Sequence, residues 1–225
     1  LITPGVYKLS NGVAAPITTF TERNKRVNSV YGTATLSYAN KIFLDVTGRN
    51  DWSSTLPSGN NSFFYPSVST SFILSDLLRL PEQISFAKLR ASWAQVGNDT
   101  APYKTAKYYN TSAFPGSAFV SSTLYNARFK PEISNSIEVG LDWRMFKQRF
   151  GLDLAFYNNI TRNQILDVPM DQTTGYTKAT MNSGKVRNRG IELQLDGTPV
   201  KTKNFTWNST FTWAKNYNKV LSLAA

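Results

Sequence analysis

The chain contains neither cysteine nor histidine. That excludes disulfides, Ser-His-Asp and Cys-His catalysis and the common zinc sites, and no cofactor is expected. Long apolar runs are missing too. The longest nearly apolar stretch, Phe72 to Leu80, contains Asp76 and Arg79, far short of the roughly 20 residues a membrane-spanning helix needs. The start, LITPGVYKLS, has no basic stretch followed by an apolar core. No signal peptide is read there, and the true N-terminus of an exported protein is expected elsewhere. Acidic residues are scarce, 14 against 25 Lys plus Arg for a net charge of +11. Such an excess suits nucleic acid, anionic headgroups or an anionic substrate. The basic residues are scattered, without a long block or a helical stripe, which argues against nucleic acid as a partner.

Aromatic residues are abundant, with 14 Phe, 11 Tyr and 5 Trp among 225 positions. Asn, Ser and Thr crowd the segments between apolar stretches, a profile of strands and polar loops. Alternation with a period of two marks the strands. Val30, Gly32, Ala34, Leu36 and Tyr38 alternate with polar residues, then Ala39 to Lys41 turns into Ile42, Leu44, Val46 and Gly48. A strand from Phe64 to Leu74 passes through Ser75 to Ile84 into one from Ser85 to Val96. Ile137, Val139, Leu141 and Trp143 pass through FKQR into Phe150, Leu152, Leu154 and Phe156. Ile191, Leu193 and Leu195 pass through TPVKTKN into Phe205, Trp207, Phe211 and Trp213.

Short connections join the strands of each pair, while Asp51 to Phe63, Gly97 to Ile133 and Asn158 to Gly184 read as long loops between pairs. Outer-membrane barrels place short turns in the periplasm and long loops outside. One strand face is aliphatic with aromatics near its ends. The other carries Arg, Asp, Glu, Asn and Thr, too polar for a dry core, where an unpaired charge costs at least several kcal/mol. The expectation is an all-β fold, an antiparallel transmembrane β-barrel segment of about eight strands. A soluble sandwich with one solvated face is the rival. Residues 1–26 read as a lead-in, 27–217 as the strands with their turns and loops, and 218–225 as a truncated end.

The candidate contacts lie where strands meet loops. Arg49, Asp51 and Trp52 in the RNDW run combine charge and an indole, suited to sugar stacking and hydroxyl recognition, though such groups at a barrel rim are more often structural. Tyr103, Tyr108, Tyr109, Phe114 and Phe119, with Tyr125, enrich one long loop, the composition of a ligand or partner surface. Glu138 with Asp142, and Glu192 with Asp196, sit four apart on the polar faces. Four strand residues separate each pair by about 13 Å, so ion pairing with Arg144 or Arg189 is expected rather than glycoside hydrolysis. NRGIE, Asn188 to Glu192, reads as the start of a strand, with Gly190 permitting close approach or a bulge.

The runs VNSVYGTATLSYANKIFLDVTGRNDWSSTLP, FYPSVSTSFILSD, KLRASWAQVGN and NSGKVRNRGIELQLDGTPV, in that order, closely resemble the barrel of SusC/RagA-family TonB-dependent transporters. The opening LITPGVYKLSN is similar to the same family just upstream. The resemblance implies a barrel of about 22 strands in the bacterial outer membrane, among lipid and lipopolysaccharide. It further implies a plug preceding Leu1 through which TonB acts, and a SusD-like lipoprotein that captures glycan or peptide. On that reading the chain is a piece of an importer wall. A complete small eight-stranded barrel serving as adhesin or anchor, and a SusC-like scaffold in an envelope complex, are the alternatives.

Overall fold

A computed structural model describes residues 2–8, 11–12, 20, 22–111 and 116–223. The first hairpin joins β1 (Val27–Tyr38) to β2 (Ile42–Ser53). Its turn holds Ala39 and Asn40 at φ of 52° and 56°, the mirror-image turn geometry that matches the twist of its strands. Next come β3 (Ser62–Ile73), one helical turn α1 (Leu74–Leu77) and β4 (Ile84–Asn98). The following loop carries three short strands, β5 (Tyr109–Thr111), β6 (Ala118–Val120) and β7 (Thr123–Leu124). A second tight hairpin joins β8 (Glu132–Met145) to β9 (Phe150–Arg162). A loop containing β10 (Ile165–Pro169) and β11 (Lys178–Asn182) then leads to β12 (Lys185–Lys201) and β13 (Thr206–Ser222).

The long strands form one sheet in the order β1-β2-β3-β4-β8-β9-β12-β13, each antiparallel to the next. β1 and β13 lie at opposite edges, so the sheet is open and the small closed barrel is not formed. Among the described residues nothing packs on it as a second layer. Among the described residues the buried apolar ones are only Leu56, Phe63, Ala87, Phe129, Ala155 and Ala179. A sandwich would bury two facing sets of side chains, so that rival falls.

Register explains what the sheet does instead. Tyr38, Ile42, Phe72, Leu89, Leu141, Leu154, Leu193 and Trp213 are successive cross-strand partners, an unbroken apolar row across the sheet. Odd steps along every strand bring up the other face, and three residues on, Thr35, Asp45, Ser69, Ser92, Glu138 and Tyr157 stand in one row. Leu36, Phe156 and Phe211 are 63%, 45% and 56% exposed. Leaving such a side chain in water forgoes about 1.5–3 kcal/mol, so this outward face is built for hydrocarbon.

Several boundaries differ from the sequence expectation. β2 continues to Ser53 and β3 begins at Ser62, because cross-strand pairing to Trp52↔Ser62 extends both strands past the alternating core. That loop is therefore residues 54–61, shorter than the α1-containing connection 74–83, and the rule of short against long holds only for the other connections. β13 runs to Ser222, past residue 217, by pairing with Val186 and Lys185. NRGIE lies inside β12 rather than at its start, and the β12 irregularities fall at Lys185/Val186 and Gly197/Val200.

On the polar face, large side chains lie over glycines of the adjacent strand, Arg90 over Gly140, Arg144 over Gly151 and Tyr157 over Gly190. A Cβ at Gly190 would stand 2.5 Å from the Tyr157 hydroxyl and 2.7 Å from the Lys215 carbonyl oxygen. The expected close approach is thus real, and backbone cannot swing aside as a side chain can. Gly190→Ala is expected to destabilise the folded sheet by about 2 kcal/mol. Gly32→Ala, with nothing within 4 Å of its Cβ, should change little. The midpoint of heat-induced mobility change in gels of the full-length protein would show both.

Candidate functional site

Charges on the polar face are paired across strands. Arg90 donates to both Asp153 oxygens at 2.9 and 3.2 Å and lies 3.9 Å from Glu138. Arg144 donates to Asp142 at 2.8 Å and to Asp196 at 3.4 Å, while Gln194 and Thr210 also donate to Asp196. Arg144 therefore pairs as expected, but the second cation is Arg90, not Arg189. Strand alternation sends Arg189 to the outward face, its guanidinium 5.4 Å from the Tyr217 ring centre. A depression of about 400 Å³ opens beside Arg90 and Asp153, bordered by Ala155, Glu192 and Ala214.

The RNDW residues do not converge. Arg49 and Asp51 share the polar face, where Arg49 Nε donates to Asp51 at 2.8 Å and Nη2 to Ser29 at 3.0 Å. The Tyr65 hydroxyl donates to the same carboxylate, and Asp51 is 6% exposed. Trp52, the next residue, faces the other way, so its indole cannot stack on a ligand held by Arg49 and Asp51. The cluster instead supports its neighbours, since Tyr65 stacks on Phe63 with ring centres 5.9 Å apart.

Phe63 leads into the core of a loop layer. Phe129, fully buried, packs with Leu56 and Phe63, and Tyr65 and Ile165 lie against them. One ring from the longest loop thereby ties together the 54–61 loop, β3 and the start of β10. Polar links complete the tie. The Asn182 side chain accepts from the Lys130 N–H and donates to the Lys130 carbonyl, both at 2.8 Å, while β7 pairs parallel to β11. Burial pushes the Asp99 carboxyl up, but Lys25 at 2.5 Å and the Ser53 hydroxyl hold it below its ordinary value. Sequence reading missed Phe129, whose signal was only an aromatic in a polar loop just before β8.

Above this core the aromatic loop residues separate. Tyr103 takes a φ of 66° and its hydroxyl accepts from the Asn24 N–H at 3.2 Å. Tyr108 stacks on Tyr125 with ring centres 5.7 Å apart. The hydrogen bond between their hydroxyls, with burial, raises the Tyr108 pKa to about 12. Pairing of Tyr109 with Val120 and of Asn110 with Phe119 puts Tyr109 and Phe119 on opposite faces of the β5–β6 ribbon. Tyr109 is 74% exposed and Phe119 53%. Phe114 lies outside the described residues.

A single sheet with an apolar outer face, an ion-paired inner face and one end built into packed loops defines a wall section of an outer-membrane β-barrel. Residues 4–223 match the family described as TonB dependent receptor-like, β-barrel, and the chain belongs to that family. It is 33% identical over 88% of its length to TonB-dependent receptor P26 of Formosa agariphila, covering 21% of that protein. It is 26% identical over 92% of its length to TonB-dependent receptor SusC of Bacteroides thetaiotaomicron, covering 22%. Its fold matches a chain of the RagAB peptide transporter structure with a TM-score of 0.82 at 22% identity, over 98% of this chain and 25% of that one. The chain thus spans about a fifth of the length of the curated relatives it matches. The SusC/RagA resemblance read from the motifs stands, and with it an outer-membrane location.

Phe129→Ala should loosen the loop layer by about 3–5 kcal/mol, seen as faster proteolytic cleavage within residues 99–131 while the sheet stays protected. A second expectation concerns pH. Lys178 at 2.8 Å and the Thr180 hydroxyl at 2.6 Å hold the Asp167 carboxyl below its ordinary value. A depressed folded-state pKa contributes stability that is complete above about pH 4 and fades as pH falls through the folded value. Amide-exchange protection in β10 and β11, taken relative to the intrinsic rate at each pH, should therefore fall on acidification below about pH 4, and Asp167→Asn should flatten that dependence.

Proposed function

We propose that this chain is part of the wall of a TonB-dependent importer of oligosaccharides or peptides that works with a SusD-like surface lipoprotein. In this reading the tight turns at 39–41, 146–149 and 202–205 face the periplasm and the loop layer faces outside. The edges of β1 and β13 pair with strands from the rest of a longer protein, closing a barrel of about 22 strands. The polar face lines the lumen around a plug, and TonB acts through that plug. The relatives matched are named as receptors or transporters, and the wall carries no catalytic step.

The observation that carries this reading is the loop layer itself. Tyr108, Tyr109, Phe119 and Val120 are 41–74% exposed, yet they are mounted on a loop fixed by buried Phe129. Exposed aromatics on a rigid base are the composition of a recognition surface. In the full-length transporter, the Tyr108→Ala/Tyr109→Ala double variant should cut lipoprotein co-purification or ligand uptake by about tenfold. Unchanged co-purification together with unchanged uptake would remove the loop from recognition.

A further inference from the structure

Six of the basic residues scattered in the sequence gather in space. Strand alternation and register put Arg162, Lys185, Arg187, Arg189, Lys215 and Lys219 all on the outward face at the loop end of β9, β12 and β13. Lys185 lies directly opposite Arg162, and Arg187 directly opposite Lys219. Like charges placed so repel. The outward positions of these three strands carry no Asp or Glu to relieve them. Among the described residues none of the six forms a salt bridge, and Arg187 Nε is buried with no hydrogen-bond partner.

Their position says what supplies the missing negative charge. Lys215 shares its row with Ile191 and Phe156, and the next row toward the turn end is Leu154, Leu193 and Trp213, so the cations border the hydrocarbon belt. Long basic side chains there lay their stems on the apolar surface and lift their charges to headgroup level. Tyr217 beneath the Arg189 guanidinium adds an interfacial aromatic. We propose that this outward basic patch binds the phosphate groups of lipid A in the outer leaflet. The inference rests on the wall reading only in taking this face as lipid-exposed and its loop end as outermost, not on transport or cargo.

The test uses the full-length transporter, delipidated and reconstituted in nanodiscs with phosphorylated or enzymatically dephosphorylated lipid A, bound lipid being counted by native mass spectrometry. The R187Q/R189Q/K215Q/K219Q variant should retain lipid A about tenfold or more less than the parent. The charge-keeping R187K/R189K/K215R/K219R variant should retain it, as should K41Q/K203Q, which removes charge at the turn end. Dephosphorylated lipid A should bind the parent no better than it binds the quadruple Gln variant. Equal retention by parent and Gln variant, or equal binding of the dephosphorylated lipid, overturns the proposal. Displacement of lipid A by millimolar inorganic phosphate also overturns it, marking a free-anion site instead. Should the quadruple variant not fold, R187Q/K219Q carries the same comparison at the directly opposed pair. Uptake measured in parallel separates the two readings, since loss of transport assignment with lipid A retained leaves this one standing.

Discussion

A backbone placed in hydrocarbon must satisfy every N–H and C=O within the protein, and the continuous antiparallel ladder of this chain is one answer to that requirement. Once the ladder forms, each residue is committed to one of two faces by the pleat alone. The unbroken row from Tyr38 to Trp213 exists because register is held through the middle of every pairing from β1 to β13, the shifts at Ile84/Phe86, Lys185/Val186 and Gly197/Val200 falling toward strand ends. A slip by one residue at any pair would send charge into lipid. The two faces therefore depend on the same hydrogen bonds, and the functions assigned to them cannot be separated from the ladder.

The inner face shows how charge is kept there. Arg90 and Arg144 each cross to a neighbouring strand over a glycine, Gly140 and Gly151, which provides the space a guanidinium needs to lie flat. The side chains of these pairs are about one third exposed, as in Arg90 with Asp153 at 34% and 33%. At that exposure an isolated pair is worth about 0–1 kcal/mol. The network's contribution lies more in fixing side chains along the face than in adding stability. Beyond the rim the organisation changes, and Phe129, Leu56 and Phe63 form a small dry core of the kind the sheet itself does not have.

Local pattern carried the reading where structure is local. Alternation along about ten residues at a time identified the long strands, their faces and the tight turn at Ala39 and Asn40, because a strand's two faces are written every second residue. It misjudged the length of the loop after Asp51, since ladder pairing extends a strand past its apolar core, while the connection from Ser75 falls within one residue of its expected bounds. The RNDW residues, adjacent in sequence, separated in space for the same reason of period two. Tyr109 and Phe119 separated across a ribbon whose pairing no local signal announced.

The sequence by itself determined that this is a membrane-facing antiparallel sheet with a wet inner face and a SusC/RagA likeness. Composition, alternation and motif order are properties of the chain read one stretch at a time. Only tertiary structure decided which distant residues meet. Phe129 became an anchor, Arg90 rather than Arg189 took the carboxylates, and Arg162, Lys215 and their companions became one patch. Those outcomes depend on cross-strand register between segments far apart in the chain, and register is set by hydrogen bonding across the whole sheet rather than by any single segment.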